Sequence, residues 1–192
     1  ERVWNVPSSG KELYLTFDDG PIPGVTPWVL DTLAEYQAKA TFFVIGHNAS
    51  ANPEILARIR AEGHSVGNHT WDHLNGWKTG TFAYLRNVLR CQSITGTRLF
   101  RPPYGKVTRP QARALRTRFG IVMWEVLSAD FDTTITGERC LKNVIAHAKP
   151  GSIIVFHDSL KAEARLRFAL PKVLEHFAAQ GASETHVDVG ER

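Results

Sequence analysis

The sequence has few cysteines, no apolar run of membrane length and no glycine-rich nucleotide-binding motif. Only two of its 192 residues are cysteines. No apolar run approaches the roughly 20 residues needed to cross a bilayer, and the polar opening ERVWNVPSSG lacks the apolar core of a secretory signal. No GxGxxG segment follows a strand candidate, which argues against nucleotide binding. One GxSxG pattern is present, GHSVG (63–67), but its serine stands at the start of a strand candidate and not at the turn after one, which argues against the nucleophile elbow of a serine hydrolase.

The two cysteines, Cys91 and Cys140, lie in segments with helical periodicity. Two thiols could form one disulfide, but a buried free thiol is the more common state of a cysteine in an amphipathic helix. We therefore expect two buried free thiols and no thiol nucleophile.

Charge is nearly balanced over the whole chain. Lys and Arg number 23 against 19 Asp and Glu, which gives a net charge of +4 and a pI near 9.2. A basic excess of this size usually lies on solvated faces, although it would suit an acidic polymer or a cell-wall surface. No basic block is interleaved with aromatic residues, so nucleic acid is not an expected partner.

Apolar, β-branched runs alternate with segments of helical period. The strand candidates are residues 13–17, 40–46, 64–68, 99–101, 121–126, 152–156 and, with a weaker pattern, 186–189. Repeated β–α units predict parallel strands with the helices outside. About seven such units favour a barrel over an open sheet. The sequence therefore predicts an α/β fold in which residues 1–192 form one domain of substantial core.

Ionisable residues follow most of these runs. In parallel α/β folds, ligands bind beyond the carboxyl ends of the strands, so the residues just after each run carry the functional information. They are Asp18, Asp19, His69, His73, Arg101, Tyr104, Asp130, His157 and Asp158. The sequence therefore predicts one site, rich in carboxylates and imidazoles, at this end of the barrel.

His69 and His73 have the spacing of a metal-ligand pair. Four residues apart, their imidazoles would project from one face of a helical turn, although two unrelated histidines explain such spacing about as often. With a carboxylate from a neighbouring strand end they would form a two-His, one-Asp site, which leaves positions open for water and substrate as catalytic zinc requires. His64 precedes the strand interior and is expected to be structural.

Arg101 is the candidate positive partner for the carboxylates of Asp18 and Asp19. Its guanidinium is permanently charged and binds carboxylates through two donors, although a surface position would remove this role. The two prolines after it fix the loop, so that the backbone N–H of Tyr104 could act as an oxyanion donor.

His157 ends an apolar strand and could serve as a general acid. A neighbouring carboxylate would raise the pKa of its imidazole and keep it protonated. Asp130 is the candidate for that carboxylate, with Asp132 and Asp158 as competitors.

In chain order, these motifs resemble the polysaccharide deacetylases with a NodB-type domain, also called family four carbohydrate esterases. TFDDGP (16–21) is similar to the family's first motif, which implies Asp18 as catalytic base and Asp19 as metal ligand. HTWDH (69–73) is similar to the second, which implies His69 and His73 as the other metal ligands. The resemblance covers residues 13–158 and implies a distorted (β/α)7 barrel.

Three further motifs complete the resemblance. RPPYG (101–105) is similar to the third, which implies that Arg101 orients the base and that the Tyr104 backbone helps to bind the oxyanion. SADF (128–131) is similar to the fourth, which implies that Asp130 tunes the general acid. IIVFH (153–157) is similar to the fifth, which implies His157 as that acid.

The fourth motif departs from the family's D-x-x-D-W pattern, because Leu127 replaces the first Asp and Phe131 replaces the Trp. The loss of the indole removes a polar N–H and stacking area, so substrate preference could differ. The candidate substrate contacts are Phe131, the expected acetyl-pocket residues Ile153 and Val155, and two aromatic residues expected to be exposed, Trp71 and Trp77.

The resemblance implies a metal-dependent hydrolase that removes acetyl groups from a polysaccharide or oligosaccharide. Zn²⁺ is the expected ion, with Co²⁺ or Mn²⁺ as alternatives. N-deacetylation of N-acetylglucosamine polymers, of the peptidoglycan or chitin type, is favoured over O-deacetylation of acetylxylan. A non-catalytic carbohydrate-binding barrel would lack a base, ligand or acid, and none is missing. The resemblance also favours a secreted or cell-envelope location, and we expect a monomer without a membrane span.

Overall fold

A computed structural model describes residues 2–7 and 10–187 of the chain. The strands in these ranges are β1 (Arg2–Val3), β2 (Glu12–Asp18), β3 (Thr41–Val44), β4 (Ser65–Asn68), β5 (Leu99–Phe100), β6 (Gly120–Val122), β7 (Val126–Leu127), β8 (Ile153–His157) and β9 (Ser183–Thr185). The α-helices are α1 (Thr26–Glu35), α2 (Gly46–Ala51), α3 (Pro53–Ala61), α4 (Thr81–Thr95), α5 (Arg109–Leu115), α6 (Gly137–Ile145) and α7 (Glu163–Ala179). Short 3-10 turns cover Gly76–Lys78 and Pro103–Gly105.

The strands form one parallel sheet in the order β1-β6-β5-β4-β3-β2-β8-β7, and β9 pairs with the first residues of β2. The register aligns the carboxyl ends, since Asp18 of β2 lies opposite His157 of β8 and Asn68 of β4 lies opposite Phe100 of β5. The ends of these strands therefore meet at one rim. The predicted α/β class is confirmed, and the curled sheet agrees with a distorted (β/α)7 barrel.

Side-chain alternation along the strands divides the core into two layers. Outward residues such as Leu15 and Phe156 pack beneath α1, α6 and α7. Inward residues from five different strands form one contact cluster, which requires the sheet to curl around them: Tyr14, Phe43, Leu99, Val122 and Ile153. Asp18 and His157 share this inward face by the same alternation, so the strands aim both side chains at the mouth of the barrel.

The predicted strand at residues 121–126 is wrong, because this run forms two strands near opposite ends of the sheet. β6 pairs with β1 and β5, whereas β7 pairs with β8. Between them the chain crosses the opening of the barrel, where the Met123 amide donates to Val3 O (2.7 Å) and the Glu125 amide donates to Ile153 O (3.0 Å). Ile121, Val122, Met123 and Val126 are buried, so the apolar pattern runs past the end of β6 and is interrupted only at the exposed Glu125.

Three other expectations have outcomes in the fold. Cys91 and Cys140 are free and buried, as predicted, and burial raises the pKa of both thiols to about 12. The final strand, β9, begins three residues before the expected segment 186–189, of which residues 188–189 lie outside the described ranges. No helix in the described part of the chain is long and apolar enough to cross a membrane.

Candidate metal centre and catalytic site

Strand β2 ends in two adjacent carboxylates that differ in exposure and direction. Asp18 faces inward, and its side chain is 4% exposed. Asp19 follows with a φ of 85°, a left-handed conformation that costs a residue other than glycine on the order of 1–3 kcal/mol. The side-chain amide of Asn48 donates to the Asp19 carbonyl (2.8 Å) and holds this turn. The turn leaves Asp19 more accessible, with a side chain that is 23% exposed.

Asp158, the residue that follows β8, stabilises the same turn. Its backbone N–H donates to the Asp18 carbonyl (3.1 Å), and its carboxylate accepts from the Gly20 N–H (2.9 Å) and from the Thr26 hydroxyl (2.6 Å). A Cβ at position 20 would lie 1.9 Å from this carboxylate, so the turn requires glycine. Burial raises the pKa of Asp158 to about 8, although both hydrogen bonds oppose the shift. Asp158 therefore positions the turn and does not partner the strand-end histidine.

The loop that carries the two histidines is not the predicted helical turn. Thr70 and His73 have φ values of 66° and 55°, outside the right-handed helical region. The Asn68 side-chain oxygen accepts from the Thr70 amide (2.9 Å), and that of Asn87 on α4 accepts from the Trp71 amide (2.8 Å). These side chains bind backbone donors in place of a helical pattern, and a folded loop brings the imidazoles together.

Asp19, His69 and His73 converge into a candidate metal centre. One ligand atom from each lies within 4.8 Å of the other two, and Asp19 Oδ1 is 3.2 Å from His73 Nε2. His69 Nδ1 lies 2.8 Å from the Arg101 carbonyl oxygen. A carbonyl can only accept, so Nδ1 carries the proton and Nε2 presents its lone pair to the centre.

One oxygen of this centre tests whether the residues fit a metal. Asp19 Oδ1 is buried, and among the described residues it has no hydrogen-bond partner of acceptable geometry. An unpartnered buried carboxylate oxygen beside two imidazoles meets the usual needs of a divalent cation. The residues present therefore fit a metal at this position.

The protonation states of the centre also suit a cation. Burial opposes ionisation of Asp19, but the imidazoles of His73, His69 and His157 outweigh it and lower its pKa to about 2. Burial lowers the pKa of His69 to about 4, although Asp18 opposes that shift. At neutral pH, Asp19 is thus ionised and His69 neutral, the forms that bind divalent metals.

Arg101 is completely buried at the end of β5 and binds Asp18. Its Nη1 donates to Asp18 Oδ1 (2.8 Å) and to the Thr16 hydroxyl oxygen (2.7 Å). Its Nη2 donates to the Met123 carbonyl (2.7 Å), and the guanidinium carbon lies 4.2 Å from the Phe43 ring centroid. The expected pairing of this arginine is therefore present, and Asp18 is the carboxylate that it contacts.

His157 is bound to both oxygens of the Asp130 carboxylate. Its Nδ1 lies 2.7 Å from Oδ1, and its backbone N–H donates to Oδ2 (2.7 Å). Burial lowers the pKa of His157. The hydrogen bond to Asp130 and the charges of Asp130, Asp18 and Asp19 outweigh this effect and raise the pKa to about 9. The imidazole is therefore protonated at neutral pH. The competitor Asp132 instead accepts from Thr134.

The two residues expected to line an acetyl pocket occupy different depths. Val155 lies opposite Thr16 of β2, one inward position below His157. Ile153 lies two inward positions below, about 13 Å away along the strand, where it packs with Tyr14 in the barrel interior. Strand geometry thus separates Ile153 from His157 and leaves Val155 as the nearer of the two candidates.

The aromatic candidates differ in how exposed they are. Trp71 is only 8% exposed, beneath the Arg90 guanidinium at 3.9 Å from its ring, so the expectation of an exposed indole is wrong there. Trp77 is 67% exposed. Phe131 meets the His157 ring edge-on at 5.1 Å between centroids. Tyr104, with a φ of 60°, places its ring centroid 4.6 Å from that of His73.

Several residues that support the site were not identified from the sequence. Thr16 lies two residues before Asp18, so strand alternation could have placed it on the same face. Asn48 on α2 and Asn87 on α4 bind backbone groups that are distant in the sequence. No local sequence pattern predicts these contacts. Arg165 of α7 donates to the Asp130 carbonyl (2.5 Å) and likewise has no local signal.

Known sequences similar to this chain are deacetylases of acetylated glycans. Residues 5–124 match the sequence profile described as polysaccharide deacetylase. The chain is 34% identical over 184 residues to a peptidoglycan-N-acetylglucosamine deacetylase of Bacillus cereus, covering 92% of this chain and 66% of that protein. It is 37% identical over 155 residues to a chitooligosaccharide deacetylase of Azorhizobium caulinodans, covering 76% of this chain and 73% of that protein. It spans between 41% and 87% of the length of three peptidoglycan deacetylases from Bacillus cereus and Listeria monocytogenes.

A solved structure also matches nearly the whole fold. The crystal structure of the Bc1960 peptidoglycan N-acetylglucosamine deacetylase, in complex with 4-naphthalen-1-yl-N-oxidanyl-benzamide, superposes with a TM-score of 0.91. The superposition covers 97% of this chain and 90% of that one, at 31% identity. The similarity in sequence and the similarity in structure therefore extend over the strand ends that carry the site.

The Arg101–Asp18 pair makes a prediction about stability. We expect Arg101→Met to lower the free energy of unfolding by about 3–5 kcal/mol, because it leaves a buried carboxylate without a partner. Arg101→Met combined with Asp18→Asn should be less destabilising than the sum of the two single changes, since it removes both charges. Urea denaturation of the four proteins with a chelator present would measure this coupling. Additive losses would contradict it.

Proposed function

Since the chain belongs to the polysaccharide deacetylase family, we propose that it hydrolyses the acetyl groups of N-acetylglucosamine residues in peptidoglycan or chitin-type polymers. The observation that carries the proposal is the convergence of three groups at one rim. They are the Asp19–His69–His73 cluster, Asp18 bound by Arg101, and His157 bound by Asp130. The names of the similar proteins support an amide of N-acetylglucosamine as substrate. A peptidoglycan substrate would place the protein at the cell envelope, and the site needs only one chain.

Asp19, His69 and His73 would hold the metal, for which we propose Zn²⁺, with Co²⁺ or Mn²⁺ as alternatives for the same donors. When bound, such an ion polarises the acetyl carbonyl and lowers the pKa of a water molecule. Three protein ligands leave coordination positions open for both. The Arg101 carbonyl fixes the tautomer of His69, so that Nε2 of this ligand already presents its lone pair to the metal position.

Asp18 is the proposed general base. Arg101 occupies its Oδ1, while its Oδ2 lies 3.8 Å from His69 Nε2, on the side of the metal centre. The free oxygen can take a proton from the attacking water as the water oxygen bonds to the acetyl carbon. The backbone N–H of Tyr104 is the proposed donor to the oxygen that becomes negative.

His157 is the proposed general acid. Breaking the carbon–nitrogen bond releases the sugar amine, whose nitrogen takes a proton from the imidazole. Asp130 keeps that imidazole protonated and fixes its orientation through two hydrogen bonds. The proposed substrate contacts are Val155, Phe131 and Trp77. Of these, Val155 is proposed to contact the acetyl group.

Acetate release from three substrates tests the function. We expect release from chitooligosaccharides or peptidoglycan that a chelator abolishes and Zn²⁺ restores, because the base and acid lack an activated carbonyl without the ion. Acetylxylan should be a poorer substrate. Release that a chelator leaves unchanged, or release from acetylxylan alone, would contradict the proposal.

The division of labour between the two aspartates gives a second prediction. Asp18→Asn should keep the metal and lower kcat by about two or more orders of magnitude, as expected for the loss of a general base. His69→Ala should instead lose the metal, as metal analysis of the purified protein would show. Asp31→Asn, at an exposed carboxylate on α1, is the matched control and should retain both properties. Full turnover by Asp18→Asn would exclude it as the base.

The alkaline limb of the pH profile tests the general acid. His157 must be protonated to act, so kcat/KM should fall as pH rises through its pKa. Asp130→Asn removes the negative charge and one of the two acceptor oxygens that hold His157 protonated, so the alkaline limb should move to lower pH. Asp132→Asn removes a carboxylate two residues away that does not contact the imidazole, and its profile should match that of the unchanged protein. An unmoved limb in Asp130→Asn would show that this pair does not govern the acid.

A further inference from the structure

Charge is strongly segregated along this nearly neutral chain. Residues 73–124 contain ten Lys or Arg and no Asp or Glu, whereas the chain average would give about five acidic residues in 52 positions. The rest of the chain has 13 basic and 19 acidic residues, a net charge of −6. The small overall charge of +4 thus conceals a basic segment and an acidic remainder.

The fold gathers this charge on one outer surface. α4 and α5 pack against each other and cover neighbouring strands, so their solvent sides adjoin. We call this surface the basic face and define it by six exposed arginines on the two helices and the turn that follows: Arg86, Arg90, Arg109, Arg113, Arg116 and Arg118. Spacings of three and four residues place those within each helix in one row.

None of these arginines forms an ion pair in the part of the chain that the structure describes; the one carboxylate bound to α4 beside them, that of Asp72, accepts from Asn87 instead. Arginine ion pairs there involve Arg58, Arg101 and Arg167, none of which belongs to the basic face. Two members are supported by aromatic rings, since Arg90 lies 3.9 Å from the Trp71 ring and Arg86 lies 5.8 Å from the Phe82 ring. Rows of unneutralised guanidinium groups favour a ligand with several negative charges.

The basic face continues to the rim of the catalytic site. Tyr104 contacts His73 at the metal centre, and Lys106 follows two residues later with its Nζ 5.2 Å from the exposed Trp77 ring. α5 then begins at Arg109. A polymer that leaves the site over this rim would therefore meet the arginine rows.

Two other kinds of partner fit this surface less well. Insertion into a lipid surface needs an apolar helix face, but that of α4 is buried in the fold through Tyr84, Val88 and Cys91. Only Phe82 and Leu89 are large exposed apolar residues on that helix. Among the described residues, α4 and α5 both pack against each other and the sheet, and neither is a helix free to enter a nucleic-acid groove.

We infer that the basic face binds a linear polyanion whose charges are phosphates, carried by or lying along the polysaccharide substrate. Guanidinium groups match phosphate oxygens with paired donors. One part of this inference rests on the proposed function, namely that the polyanion lies beside a glycan. Binding itself requires none of the proposed catalytic residues.

Binding of inorganic polyphosphate tests the inference directly. The unchanged protein should bind it, and its affinity should fall by about 50-fold between about 50 and 200 mM NaCl as counterions compete. Arg113→Gln/Arg116→Gln should weaken binding by about tenfold at the lower salt concentration and flatten the salt dependence. Arg139→Gln/Lys142→Gln removes two exposed charges from α6 and should change affinity by less than about twofold. Circular dichroism would check that both variants fold.

The outcomes separate this inference from its alternatives. Absence of polyphosphate binding, or an equal loss in the α6 variant, would overturn it. So would tighter binding to phosphatidylglycerol vesicles or to duplex DNA at equal phosphate concentration. Arg113→Gln/Arg116→Gln should release acetate from neutral chitooligosaccharides at the unchanged rate. A protein that bound polyphosphate but released no acetate would keep the basic face and refute the proposed function.

Discussion

The buried ion pair between Arg101 and Asp18 is the interaction on which the arrangement of the rim depends. A buried guanidinium costs several kcal/mol unless its donors find partners, and Arg101 has no exposed surface. Its donors reach Thr16 and Asp18 on β2 and the Met123 carbonyl in the segment that crosses the barrel opening. Satisfying this one side chain therefore fixes the end of β5, the end of β2 and the crossing segment relative to each other.

The same residue prepares two different functions through different atoms. Its side chain keeps one oxygen of Asp18 in place, and its backbone carbonyl sets the tautomer of His69. The proposed base and a proposed metal ligand are thus oriented by one buried residue. Asp19 is placed separately, by the turn that Asp158 and Asn48 hold. This separation resolves the electrostatic difficulty of two adjacent carboxylates, because each has its own source of positive charge.

The sequence allowed much of the site to be predicted, because parallel strands end at one rim and the ionisable residues follow the strands. The errors have physical causes. The His69–His73 spacing is compatible with a helical turn, but Asn87 on α4, sixteen residues beyond Trp71, binds the loop backbone instead. Trp71 lies in a polar stretch, yet Arg90 covers it. The run at 121–126 stays apolar through Trp124, past the end of β6, and its one charged residue, Glu125, does not mark where the chain leaves that strand, so periodicity did not reveal that the chain changes strands there. Each of these depends on contacts between segments that are distant in the sequence.

The register of β2 against β8 relates the proposed base to the proposed acid. Asp18 and His157 lie opposite each other on neighbouring strands, with backbones about 4.8 Å apart. Their partners carry opposite charges, because Arg101 presents a guanidinium to the carboxylate of Asp18 and Asp130 presents a carboxylate to the imidazole of His157. One group can then accept a proton while the other donates one, at the same pH and to the same bound substrate. A slip of one residue between these strands would turn His157 towards the outer layer of helices. The apolar residues that bury the two faces of β8, Ile153 inside and Phe156 outside, therefore also fix the distance between acid and base.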